Sequence, residues 1–178
     1  DTTLIKIHEA QKPFAQIGSF FPKASSPNKS SLQGALAKFS MNRKGDICVA
    51  YSALPRLYLY DSSLSLVATI ELTGKRVDDL SKPLPKGIKS IGNSPTKQFI
   101  NGLVLLDDRS VIFAVKSELF VLVPSAGQFS LKKRLILRFK DMTRNGLEEK
   151  VPIWSITASS GQVYVCPNIL PLVFRFSI

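Results

Sequence analysis

The hexapeptide Gly45-Asp46-Ile47-Cys48-Val49-Ala50 recurs later in the chain as Gly161-Gln162-Val163-Tyr164-Val165-Cys166. The similarity continues at the same offset, where residues 55–60 match residues 171–176 in their order of proline, apolar and aromatic positions. A third and looser copy at residues 109–114 is followed by an apolar run. A turn and two apolar runs repeated in this way indicate a repeated supersecondary unit. The repeat predicts architecture, whereas function would depend on loops that are not repeated.

Turn residues divide the chain into short runs with the alternation typical of antiparallel strands. One complete unit of four strands spans residues 36–72, a second spans 98–140, and a third at 151–178 contains three strands. Residues 1–18 match the last two strands of a unit, with their turn at 11–13. The sequence therefore predicts a single all-β domain over residues 1–178, built from antiparallel four-stranded meanders.

Residues 45–61 resemble the blade motif of six-bladed β-propellers of the NHL and TolB-like type. In that family a Gly-Asx turn precedes an apolar strand, and an Arg-apolar-aromatic strand and an Asp-containing turn follow. Gly45-Asp46, Arg56-Leu57-Tyr58 and Asp61 match these features. The resemblance implies a partial β-propeller with about three blades present, since a blade takes roughly 40 residues. A β-sandwich is the alternative fold.

The charge of the chain is its one compositional outlier, because 24 Lys and Arg residues against 13 Asp and Glu give a formal net charge of +11. The basic residues are scattered, apart from a cluster between Lys132 and Lys140 whose charges alternate with leucine and phenylalanine. This alternation predicts an outer strand with a solvated face. Binding of nucleic acid or another polyanion is a third functional hypothesis, less favoured than the two given below. No transmembrane segment is predicted, since no apolar run approaches the roughly 20 residues that span a bilayer.

The sequence offers little catalytic apparatus. His8 is the single histidine and has no neighbouring nucleophile or orienting group. Asp107-Asp108 occupies a predicted hairpin turn, and Gly87–Gly92 lacks the spacing of a phosphate-binding loop. Cys48 and Cys166 fall in apolar runs and lack the spacing of a metal site, so a disulfide would need the fold to bring them together. No cofactor, metal or catalytic residue is predicted.

The propeller resemblance implies that ligands bind at the rim formed by the connections between blades and the middle turns, or at the central channel. The long connections are 19–35, 73–98 and 141–150. The candidate ligand-binding residues are Arg56, Lys97, Asn101 and Trp154. The ring of Trp154 could stack on a sugar or base or pack between blades.

The predicted function is that of a non-catalytic module that binds a protein, small molecule or glycan through these rim loops and the channel mouth. The alternative is a hydrolase or lyase whose active site further blades would complete. An unpaired sheet edge at residues 173–176 predicts self-association. The family resemblance implies a periplasmic or secreted location.

Overall fold

The architecture comes from a computed structural model, which separates the chain into two compact units, Asp1–Leu32 and Gln33–Ile178. The structure describes residues 3–9, 12–19, 37–51, 55–74, 100–140, 148–167 and 172–177. In the first unit, β1 (Thr3–Glu9) and β2 (Lys12–Ser19) form an antiparallel hairpin with Ile5 opposite Ile17. This hairpin agrees with the two strands predicted for the start of the chain.

The second unit contains three antiparallel sheets in which each strand pairs with the next along the chain. The first sheet consists of β3 (Ala37–Met41), β4 (Ile47–Tyr51), β5 (Arg56–Tyr60) and β6 (Leu66–Glu71). The central sheet consists of β7 (Gly102–Leu105), β8 (Val111–Val115), β9 (Glu118–Ser125) and β10 (Gln128–Ile136). The third sheet consists of β13 (Ile153–Ser159), β14 (Gln162–Pro167) and β15 (Phe174–Ser177). The prediction of an all-β fold made of antiparallel meanders is confirmed.

A short two-stranded ladder of β11 (Arg138–Lys140) and β12 (Glu148–Lys150) separates the central and third sheets in sequence. The sequence predicted that the fourth strand of the central unit would run to Lys140, but β10 ends at Ile136. Leu137 interrupts the strand because its side chain is buried and its N–H donates to the carbonyl of Ser117 at 2.8 Å. As predicted, the basic strand β10 lies at the edge of its sheet, with Lys132 and Lys133 exposed.

The central sheet is buried on both faces along β7, β8 and most of β9. Leu103, Leu105 and Phe113 belong to a core cluster shared with the first sheet, whereas Val104 and Ile112 belong to one shared with the third sheet. Side chains alternate between the two faces of a strand, so a strand covered on both sides reads as a continuous apolar run. All five residues of β8 are buried accordingly. The second unit is therefore a stack of three sheets with two apolar layers between them.

The sheets approach each other most closely along their first strands. β7 packs against β3 and β4 on one side and against β13 on the other. Gly102 makes the close approach of β7 to β13 possible, because a Cβ at this position would lie 2.8 Å from Cγ1 of Ile156 and 3.1 Å from the backbone nitrogen of Ile156. The described residues contain no helix that is long and apolar enough to cross a membrane.

Replacing Gly102 tests this close packing. Gly102→Ala should lower the free energy of unfolding by about 1–3 kcal/mol, because β7 and β13 would have to move apart. Urea denaturation measures the change. The same substitution in an Ile156→Ala background should have a smaller effect, since the nearest side-chain atom is then absent. Equal effects in both backgrounds would contradict the proposed contact.

Candidate functional site

The turns that join the first and second strands of the three sheets share one backbone feature. A residue just before each second strand has a left-handed conformation, with φ of 84° at Gly45, 65° at Arg109 and 74° at Gly161. Two of these positions carry the glycine that this conformation favours. An L-residue there costs about 1 kcal/mol relative to glycine, so the arginine of the central sheet needs a compensating interaction.

Arg109 finds that interaction in the neighbouring first sheet. Its Nε donates to Oδ2 of Asp46 at 2.9 Å and its Nη2 donates to Oδ1 at 3.2 Å, in a two-pronged ion pair. The Asp46 side chain is 4% exposed and that of Arg109 is 41% exposed. We call this pair the Asp46–Arg109 latch. Because it is bidentate and its carboxylate is buried, it restricts the relative position of the two sheets more than an exposed ion pair would.

Asn42 reinforces the latch from within the first sheet. Its Oδ1 accepts the N–H groups of Asp46 at 2.9 Å and of Lys44 at 3.0 Å. Its Nδ2 lies 3.2 Å from Oδ2 of Asp46 and 3.2 Å from the carbonyl oxygen of Leu106 in the central sheet, and donates to both. The buried Asn42 amide thus forms hydrogen bonds within its own turn and one to the neighbouring turn of the central sheet.

Two further hydrogen bonds connect the first and central sheets at the same end. The N–H of Arg43 donates to Oδ1 of Asp107 at 3.0 Å, and the N–H of Leu105 donates to Oγ of Ser40 at 2.9 Å. These bonds use backbone donors on one sheet and side-chain oxygens on the other. The facing turns are therefore held in a defined geometry before any ligand binds.

A cleft of about 630 Å³ opens at this end of the stack, and we call it the turn-end cleft. Its apolar lining comes from Val104, Leu106 and Val121 of the central sheet and from Ile156 and Ala158 of the third. Its polar lining combines both signs of charge with hydroxyl groups from Arg43, Asp107, Asp108, Lys132, Ser159 and Ser160. A smaller cavity of about 460 Å³ lies beside the latch and shares Asp107 and Asp108 with the cleft.

Both aspartates of the cleft are engaged in structural hydrogen bonds. Asp107 accepts the N–H of Arg43, and Asp108 accepts both the N–H and the hydroxyl of Ser110, each at 2.9 Å. The two residues form the turn between β7 and β8, as the sequence predicted. Since each carboxylate already has local donors, the pair does not have the arrangement of two converging catalytic acids.

The residues predicted to bind ligand lie away from this cleft. Arg56 begins β5 and pairs with Glu71 at 2.5 Å, and Asn101 immediately precedes β7 and donates its N–H to the carbonyl of Ala114 at 2.8 Å. Both stand at the ends of their strands remote from the turns that form the cleft. Lys97 lies outside the described residues, as does most of the connections 19–35 and 73–98. Among the described residues, neither Arg56, Asn101 nor Trp154 lines the turn-end cleft.

Trp154 is 65% exposed, so its ring is not part of either core cluster. The pairing of β13 with β14 shifts register between Ile153 and Ser155. This bulge lets Ile153 and Ile156 both face the core while Trp154 stays at the surface. Trp154 therefore does not pack between the described sheets, and its predicted contact with a ligand stays a prediction.

Sequence reasoning missed Asn42, Asp46 and Arg109. One signal was present, because Arg109 stands where the other two copies of the repeat have glycine. A charged side chain at a position that requires a left-handed backbone indicates that the side chain has a specific partner. The identity of the partner could not be read, since Asp46 lies in a different sheet.

The chemistry of the described residues is limited. They contain no group of three or more His, Cys, Asp or Glu side chains arranged to hold a metal ion. Cys48 and Cys166 are both free thiols, one buried and the other exposed. Burial raises the pKa of the Cys48 thiol to about 12, so it remains protonated and unreactive at neutral pH.

Comparison with protein-family models and with curated proteins found no match to this chain.

If the latch stabilises the fold, Arg109→Gly should change the free energy of unfolding differently in two backgrounds. In the native chain the substitution should destabilise the fold by roughly 1–2 kcal/mol, because the buried Asp46 carboxylate loses its main partner. In an Asp46→Asn chain it should be neutral or stabilising, since only the relief of the left-handed strain remains. Chemical denaturation of the native chain, the two single variants and the double variant gives the comparison. A destabilisation of equal size in both backgrounds would show that the ion pair contributes nothing.

Acid should weaken the latch. The side-chain hydrogen bond from Arg109 holds the pKa of Asp46 below its usual 3.8, although burial acts in the opposite direction. A carboxylate with a depressed folded-state pKa contributes stability that is present above 3.8 and is lost as pH falls through the lower, folded value. Unfolding free energy measured from about pH 5 downwards should therefore fall less steeply in Asp46→Asn than in the native chain. Parallel curves would contradict this assignment.

Proposed function

We propose that this chain is a non-catalytic binding module whose ligand occupies the turn-end cleft. The cleft itself is the observation that carries the proposal. Its volume of about 630 Å³ lies within the range of roughly 300–1,000 Å³ that small-molecule sites occupy. Its apolar walls with a few polar groups at defined places are also typical of such sites.

The rigidity of the surrounding turns supports binding. The Asp46–Arg109 latch, the Asn42 amide and the bond between Arg43 and Asp107 hold one side of the cleft in a fixed arrangement. A site that is ordered before the ligand arrives loses less conformational entropy on binding. The energy of each new contact then contributes more fully to affinity.

The lining also indicates a ligand class. Arg43 and Lys132 provide cations and Asp107 and Asp108 provide anions around apolar walls. Such a mixture matches an apolar body that carries both an ammonium and a carboxylate group. We therefore propose a short apolar peptide with both termini free as the ligand.

We further propose that the second unit is part of a β-propeller of the NHL or TolB-like type. Three consecutive meanders stack face to face, and their first strands make the close contacts, as expected near the axis of a propeller. The corresponding left-handed turns at Gly45, Arg109 and Gly161 support the same interpretation. In this arrangement the turn-end cleft would lie at one mouth of the channel.

Binding of a leucine tripeptide tests the proposed function, with free L-leucine and glucose as comparison probes. Heteronuclear NMR titration should show shifts at residues of the cleft for the tripeptide. Ser159→Trp, which places a large ring at the exposed edge of the cleft, should weaken binding by at least roughly tenfold.

Ser130→Trp is the matched control, because Ser130 is also an exposed serine on a strand but does not line the cleft. It should bind as the native chain does. Absence of binding by every probe, or equal binding by the two variants, would contradict a peptide site in the cleft. Shifts confined to the surroundings of Trp154 would move the site to the other end of the strands.

A further inference from the structure

β10 is the longest of the described strands, and it lies at an edge of the central sheet. It spans nine residues, Gln128–Ile136, and among the described strands it pairs only with β9. At about 3.3 Å per residue the strand extends for roughly 30 Å. An edge strand presents a row of backbone N–H and carbonyl groups to which a further strand can bind. β10 is therefore long enough to pair with a peptide over the usual length of a strand.

The turn between β9 and β10 shows which backbone groups point to the free edge. Ala126 and Gly127 have φ of 46° and 80°, which is the conformation of a two-residue type I′ hairpin turn. The residues that flank this turn, Ser125 and Gln128, lie opposite each other and are hydrogen-bonded partners. Backbone groups then alternate in direction along β10. The N–H and carbonyl of Leu131, three positions after Gln128, therefore point away from β9.

The side chains along this edge are exposed. Leu131 is 56% exposed and Ile136 is 37% exposed, and Lys133 is exposed as well. The side chain of Arg134 is 44% exposed. Lys132 is set aside, because it lines the turn-end cleft. We call the other four residues and the outward backbone groups of β10 the β10 edge.

Pairing with β9 divides these side chains between two faces. Leu131 and Ile136 lie opposite two β9 residues that are four positions apart, so their side chains share a face. Lys133 lies opposite Val121, which is one position from Leu122, the partner of Leu131. Lys133 is therefore on the other face. A strand added to this edge would meet aliphatic side chains on one face and a cation on the other.

The charge of the edge is positive. β9 and β10 contain a single acid, Glu118, against the three cations Lys132, Lys133 and Arg134. The Glu118 side chain is 2% exposed, and its Oε2 accepts Nε of Arg134 at 2.8 Å. No acidic side chain of the two strands remains to compensate the lysines.

This charge determines which kind of strand can bind. A second copy of the chain would bring the same cations and a further net charge of +11, and like charges on neighbouring strands are destabilising. Lysine on an edge strand is a common protection against such self-pairing. An acidic strand has the complementary charge. A nucleic acid has it too, but the exposed side chains of the β10 edge include no aromatic ring on which a base could stack.

We propose that the β10 edge binds an extended acidic peptide, which becomes a fifth strand of the central sheet. Backbone hydrogen bonds hold the peptide beside β10, as in other cases of strand addition. Its acidic side chains lie on the face of Lys133, and its apolar side chains lie on the face of Leu131 and Ile136. The peptide therefore alternates acidic and apolar residues. This site is separate from the turn-end cleft and does not depend on the ligand of that cleft.

Heteronuclear NMR titration of the full chain with a capped peptide of alternating glutamate and valine tests the proposal. The amide signals of β10 should shift, and affinity should fall as salt increases because exposed charges are screened. The same peptide with lysine in place of glutamate should bind at least roughly tenfold more weakly. Two N-methylated peptides, one methylated on the glutamates and one on the valines, should differ, since only one set of amides faces β10.

A pair of variants at Leu131 separates backbone pairing from side-chain contact. Leu131→Pro removes an N–H that does not bond to β9, so the sheet stays intact and peptide binding should fall at least roughly tenfold. Leu131→Ala keeps this N–H and should bind within about threefold of the native chain. Lys133→Glu should also weaken binding, whereas Lys44→Glu, the same charge change on an exposed turn of the first sheet, should not. Circular dichroism confirms that each variant is folded.

Several results would overturn the proposal. Equal losses in Leu131→Pro and Leu131→Ala would show that the peptide does not pair with the backbone. Shifts confined to the residues of the turn-end cleft, or no shifts at all, would exclude the β10 edge as the acidic-peptide site. Tighter binding of a thymidine oligonucleotide at the same amides would assign the edge to nucleic acid instead.

Discussion

Burial of the central sheet on both faces is the constraint on which the rest of the second unit depends. A four-stranded meander with one covered face can leave polar residues in water, but β7, β8 and β9 carry apolar side chains toward both neighbours. Both the first and third sheets are thus needed to remove this surface from water. At roughly 25 cal/mol per Å² of apolar area, such burial is the main favourable contribution to folding. The positions of the turns in all three sheets follow from this burial.

The Asp46–Arg109 latch restricts the position of the first sheet relative to the central sheet. Apolar layers are not directional, and they hold two sheets together without defining how far one slides over the other. A bidentate ion pair and the Asn42 amide do define it, because their hydrogen bonds require particular distances and angles. The left-handed backbone of Arg109 is strained, and this strain is offset by the directed contact. Local strain and directed bonds thus occur together beside the turn-end cleft.

The sequence anticipated the strands more fully than the site. The repeated turn and the alternation in residues 36–72 predict the first sheet strand by strand, since these signals are local. The end of β10 was not predictable, because Leu137 continues the strand pattern and leaves it only to bond to Ser117 and enter the core. Trp154 was assigned to its strand correctly, but its exposure depends on a register shift that no local pattern encodes.

The amino-acid sequence by itself determined the all-β class and the order of strands and turns. Alternation, turn residues and left-handed glycines all act over a few neighbouring residues. Only the tertiary structure decided which residues meet. Asp46 and Arg109 are 63 positions apart, and Ser40 and Leu105 are 65 apart. Their contacts exist because burial of the central sheet brings separate turns to the same end of the stack. The turn-end cleft is a product of that stacking, and no single segment of the chain specifies it.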